Sequence, residues 1–183
     1  MNTKIFLILG ICCFALLTSC VQDIGPEGVS FDKEAFEENK AKWEKAGLKN
    51  YNFSFSFHGY RPDLYKGEVT VTNGVANANV YDDDNSYKED NPPLPKDSKY
   101  YIEDLPMLFD KIYAEYERSL KRVEDGEYRY IEIQCEYDET YGYPVIIKNP
   151  GSGGSEGKKA SMMGYRNADF DFKITDFIIN TNE

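Results

Sequence analysis

From Tyr51 to His58 the chain alternates without a break, with Tyr51, Phe53, Phe55 and Phe57 on one side and Asn52, Ser54, Ser56 and His58 on the other. A period of two over eight residues predicts a half-buried strand. The pattern before it is different. Between Phe31 and Ala46, Phe36 and Trp43 lie two turns apart, with Ala35 and Ala46 on the same side and lysines and glutamates over the rest. This predicts a helix, capped by Ser30 or Asp32 and ended by Gly47 in a left-handed conformation, with Leu48 folding back toward Trp43. After the first strand, Glu68 to Thr72 and Val75 to Tyr81 read as a hairpin, because Asn73-Gly74 between them is a two-residue turn signal.

A second helical stripe runs through Ile102, Leu105, Phe109, Ile112, Tyr113, Tyr116 and Leu120, predicting a helix from about Ile102 to Arg122 with Pro106 in its first turn. Alternation resumes from Tyr128 to Tyr137, turns through Asp138–Pro144, returns over Val145–Lys148, and closes with Phe170, Phe172, Ile174 and then Phe177 to Ile179. Pro150 to Gly164, rich in glycine and serine, is read as a mobile loop. Helix, strands, helix, strands with short antiparallel connections predicts an α+β fold. The expected architecture is an antiparallel sheet of five to six strands with two helices on one face.

The first residues carry an address. Lys4 precedes an apolar run from Ile5 to Leu17, and Leu17-Thr18-Ser19-Cys20 follows. The run is shorter than the roughly 20 residues a helix needs to cross a bilayer. It has the layout of a secretory signal. The Leu-Thr-Ser-Cys ending resembles a lipobox, so cleavage before Cys20 and acylation of its thiol are expected. The expected organisation is a signal peptide over 1–19, a tether over 20–30 and one domain over 31–183. Several acyl chains on one cysteine, at about 0.8 kcal/mol per buried methylene, anchor a protein almost irreversibly. Val21 is not the aspartate associated with inner-membrane retention, which favours the outer membrane.

Charge and cysteines narrow the partners. The formal charge is −11 and becomes more negative when Lys4 leaves with the signal. Such a chain is repelled by phosphate backbones, which excludes nucleic acid and charge-driven attachment to anionic lipid. Of the four cysteines, Cys12 and Cys13 leave with the signal and Cys20 is blocked. Cys135 remains alone in a strand-like alternation, as a small buried hydrophobe. His58 is the only histidine; no zinc ligand set or phosphate-binding glycine loop accompanies it. A hydrolase using paired carboxylates stays open as an alternative.

Two surface features remain. Asp82, Asp83 and Asp84, followed by Glu89 and Asp90, form an acidic segment running into Pro92, Pro93 and Pro95. Calcium takes several such oxygen ligands, but the spacing is not that of an EF-hand, and a solvated loop is the plainer reading. Tyrosine is abundant, 15 in all, with Tyr60, Tyr65, Tyr81, Tyr87, Tyr100, Tyr101, Tyr141 and Tyr143 in loops or at strand ends. Exposed tyrosines anchor proteins or glycans, since they bury much area with few rotamers to freeze. The competing reading is that they cover sheet edges and loop bases.

The ordered pieces also look like a known family. Trp43-Glu44-Lys45-Ala46-Gly47-Leu48, then Tyr51 with Phe53, then Val69-x-Val71-x-Asn73-Gly74, resembles the bacterial domain-of-unknown-function family 6174. Asp104-Leu105…Phe109, Tyr137-Asp138…Gly142-Tyr143-Pro144 and Asp169-Phe170…Asp176-Phe177 continue the likeness, from about Phe31 to Ile179. The acidic insert after Tyr81 and the glycine-rich stretch after Pro150 depart from it. The resemblance implies a fold and a secreted or lipid-anchored setting; it brings no activity, cofactor or catalytic residue. The expectation is a lipid-anchored envelope protein that binds a protein or a glycan. A hydrolase and a calcium-stabilised module are the alternatives.

Overall fold

The computed structural model describes residues 28–58, 64–82, 93–98, 100–154 and 171–180. The signal with Cys12, Cys13 and Cys20, most of the tether, Tyr60, Tyr87, the acidic residues Asp83, Asp84, Glu89 and Asp90, and residues 155–170 lie outside them. Among the described residues there are two helices and one sheet of seven strands. The strands are β1 (Val29–Ser30), β2 (Tyr51–His58), β3 (Leu64–Thr72), β4 (Val75–Asp82), β5 (Tyr128–Tyr137), β6 (Pro144–Gly154) and β7 (Asp171–Ile179). Helix α1 (Lys33–Ala46) precedes β2 and α2 (Leu105–Glu124) precedes β5. Apart from β1, the chain therefore runs helix and three-stranded meander twice, and β7 pairs with β2 to join the halves in the order β1-β5-β6-β7-β2-β3-β4.

The expected class holds, with two corrections. The sheet is larger than five to six strands, and it is mixed, because β1 runs parallel to β5 with Val29 opposite Ile131. Two residues are too short to show any period, and tertiary packing recruits them. Gly28, at φ 74°, turns the chain into place, its carbonyl accepts from the Ile131 N–H at 3.0 Å, and Val29 is buried beside Ile131 and Ile133. Part of the stretch expected as tether is thus structural. Likewise β6 runs past Lys148 to Gly154, where glycines pair with Tyr128–Glu132. Backbone pairing without side chains leaves no pattern to read.

Local chemistry sets the helix ends. Asp32, not Ser30, caps α1 by accepting from the Ala35 N–H at 2.9 Å, and Gly47 ends it at φ 59°. Asp104 caps α2 through the Met107 N–H at 2.8 Å. Asn73 and Gly74, both at positive φ, make the expected tight hairpin. Both helices bury into one core with the inward residues of the sheet: Phe36 and Trp43 from α1, Leu105, Leu108, Phe109 and Ile112 from α2, and Phe53, Phe55, Phe57, Val69, Ile147 and Phe172 beneath them. Gly67 has a packing reason, since the Phe55 ring lies where its side chain would be.

The buried stripe of α2 is rotated from the expected one. Glu115 and Ser119 are buried, while Tyr113, Tyr116 and Leu120 are only half-buried. In β7 the alternation slips by one residue at a bulge between Ser54 and Phe55 of β2. The slip keeps Phe172, Ile174 and Phe177 all facing the helices.

Candidate functional site

The expected contact tyrosines divide on inspection. Tyr143 is 8% exposed, stacked on Phe177 at 4.2 Å and edge-on to Trp43; burial pushes its hydroxyl above the ordinary tyrosine value. Tyr141 is half-buried against the same Phe177. Tyr65 stacks on Tyr100 at 4.4 Å beside Phe57. These rings close the ends of the core. Tyr81 is the exception, half-exposed and paired with Lys66 across the hairpin. Tyr60 and the acidic residues from Asp83 to Asp90 lie outside the described residues. Asp82 ends β4, and no metal-holding cluster occurs among the described residues.

Tyr81 lies on the sheet face opposite both helices. Register places side chains there in rows across the strands. One row runs Tyr81, Lys66, Ser56, Lys173, Ile146, Glu136; the next runs Asn79, Glu68, Ser54, Asp176; a third runs Asn77, Thr70, Asn52, Ile178. None of these residues is buried, and Ile178 is 58% exposed. Strands stand about 4.8 Å apart, so the six-strand row spans roughly 24 Å. Over the three rows, nine of the fourteen side chains are uncharged. Asn180 donates to Asn52 Oδ1 at 3.1 Å, fixing one amide at its margin. The face offers many hydrogen-bonding groups on a rigid platform, suited to holding an extended surface and short of the concavity that chemistry needs.

Recesses lie elsewhere among the described residues. One, of about 250 Å³, opens at the sheet edge between the start of α1 and β5, lined by Phe31, Asp32, Ala35 and Ile133–Tyr137. It contains Cys135, the one cysteine among the described residues. Burial pushes Cys135 up to about 12, and burial followed by the adjacent thiol pushes the Tyr137 hydroxyl up as well. Nucleophilic cysteines need the opposite shift, so the thiol is held protonated at neutral pH in a recess that Asp32 and Glu136 also line. Another, of about 370 Å³, lies between the end of α1 and the start of α2, around Trp43 and Phe109. His58 is exposed at the end of β2, opposite Leu64 and Asp171.

A family model described as a family of unknown function, DUF6174, matches residues 35–148, from within α1 to within β6. The match covers more than half of the chain. The chain belongs to this family. The resemblance read in Asp169–Phe177 lies beyond the matched stretch, which takes in both helices and most of the open face but stops short of β7. No curated protein and no solved structure matches the chain. No helix among the described residues is long and apolar enough to cross a membrane.

The open face escaped sequence reasoning although its signal was present. The same alternation that marks Phe53 and Phe55 as core marks Asn52, Ser54 and Ser56 as a second surface. Recognising that surface as continuous requires the strand order, since β7 joins β2 only in the folded chain.

Proposed function

We propose that the protein is a lipid-anchored, extracytoplasmic envelope module that binds a protein or glycan partner across the open face of its sheet. The polar face, on which none of the described side chains is buried, carries this reading. Both helices pack on the other side, so the face has no core to protect, yet it presents aligned amide, hydroxyl and charged groups. Cys20, by its lipobox context, is the anchor residue, and the outer membrane is the favoured site. The upward shift of the Cys135 thiol, opposite to what a nucleophile needs, supports binding over catalysis.

Two substitutions test the face. Ser54→Arg and Thr70→Arg place bulky charge at its middle, where surface changes shift stability by no more than about 0.5 kcal/mol. Partner capture by the lipidated protein is expected to fall at least tenfold while the unfolding midpoint stays put. Unchanged capture would overturn the assignment of the face. Metabolic labelling with palmitate tests the anchor: label is expected on the full chain and absent from Cys20→Ala, and equal labelling of both would refute it.

A further inference from the structure

The groove between α1 and α2 is separate from the open face. Its floor is aromatic: Trp43, 6% exposed, and Phe109, 1% exposed. Leu48 and Pro106 extend the apolar wall, and Glu44 and Asp110 stand at the rim. Its volume of about 370 Å³ lies within the range of small-ligand pockets. We propose that this groove receives the side chain of an arginine or lysine presented by a partner polypeptide.

The electrostatics favour a cation. Glu44 and Asp110 contribute two carboxylates against one ammonium, that of Lys40, and among the described residues neither carboxylate is in an ion pair. Glu44 and Gly47 belong to the C-terminal end of α1, where the helix dipole adds partial negative charge. The N-terminal end of α2 would attract an anion, but Asp104 already accepts from the Met107 N–H and Pro106 has no N–H to offer. An arginine or lysine stem buries its methylenes on apolar walls while its head stays at a charged rim, the arrangement this groove presents. A chain of net charge −11 also steers basic partners toward itself.

Trp43 is the only tryptophan, so its emission reports this groove directly. The experiment titrates the full-length protein in detergent micelles with N-acetyl-arginine amide, against the nearly isosteric neutral citrulline amide and N-acetyl-glutamate amide. A saturable emission change with the arginine compound, absent with the other two, is expected. Exposed ion pairs are worth little, so Asp110→Asn and Glu44→Gln should each weaken binding about threefold, whereas Lys40→Met should tighten it. Lys40→Met keeps the test decisive if a carboxylate variant fails to fold. Equal response to citrulline would mean an apolar occupant, and a response to the glutamate compound that Lys40→Met abolishes would mean an anionic one. Either outcome, or no response to arginine, overturns the proposal without touching the open face, which Ser54→Arg and Thr70→Arg test separately.

Discussion

Replacing Gly67 with alanine puts a methyl group into the ring of Phe55. The new Cβ would stand 2.3 Å from Cε1 and Cζ of that ring, where ordinary contacts begin at 3.4 Å. The ring or the strand must therefore move by about 1 Å. Neither moves freely. Phe55 is 2% exposed, with Phe172 at 5.1 Å and Phe53 at 6.0 Å between ring centroids, and Gly67 is held between β2 and β4 by paired ladders. Overpacking a close-packed core costs about 1–3 kcal/mol. Alanine gives back roughly 0.5–1 kcal/mol through lost unfolded-state freedom. A net loss of about 1–2 kcal/mol is expected, or roughly 2–8 °C in melting temperature for a domain of this size. Denaturant unfolding of Gly67→Ala, Phe55→Leu and the double variant measures it. In the Phe55→Leu background the alanine should cost at least about 1 kcal/mol less, because directly packed residues couple on that scale. A neutral Gly67→Ala, or the same cost in both backgrounds, would refute the claim that Phe55 occupies the space glycine leaves.

Cys135, pushed from 9.0 to about 12 by burial, should react with iodoacetamide in the folded protein at about a thousandth of its unfolded rate near neutral pH, since the thiolate is the nucleophile; comparable rates would contradict its burial. The same shift acts on stability. Cys135 and Tyr51, the latter raised from 10.0 to about 12, hold their protons more tightly when folded, so their contribution is full below pH 9 and fades as pH rises toward 12. Urea midpoints should fall across that window and fall less for Cys135→Ala; a flat profile would argue against the shifts. Asp104→Ala removes the acceptor of the Met107 N–H and should cost about 1 kcal/mol in urea unfolding, whereas no change would show that water replaces the cap.

Much of this fold was legible because its signals are local. Asn73-Gly74, the Gly47 terminator and the alternation of Tyr51–Phe57 each specify their own element. What was hidden depends on distant partners. Val29 is a strand residue only because Ile131 stands beside it, and β7 keeps one face apolar only through a bulge opposite Ser54 and Phe55. The tyrosines show the same divide. Loop position gave Tyr143 and Tyr65 the look of contact residues, yet Phe177 and Tyr100 cover them. Their burial is a fact of tertiary packing that no spacing encodes. The groove at Trp43 joins residues more than 60 positions apart, from α1 to α2, and no motif announces it.

The most direct test of a binding face is photo-crosslinking in the living cell. A crosslinking residue is placed at Ser54 or at Thr70, both on the open face, and separately at Ala114, exposed on the outside of α2, in a chain that keeps Cys20. One shared adduct from Ser54 and Thr70, missing from Ala114, is the predicted result. The same diffuse adducts from all three positions, or none from the face, would contradict it.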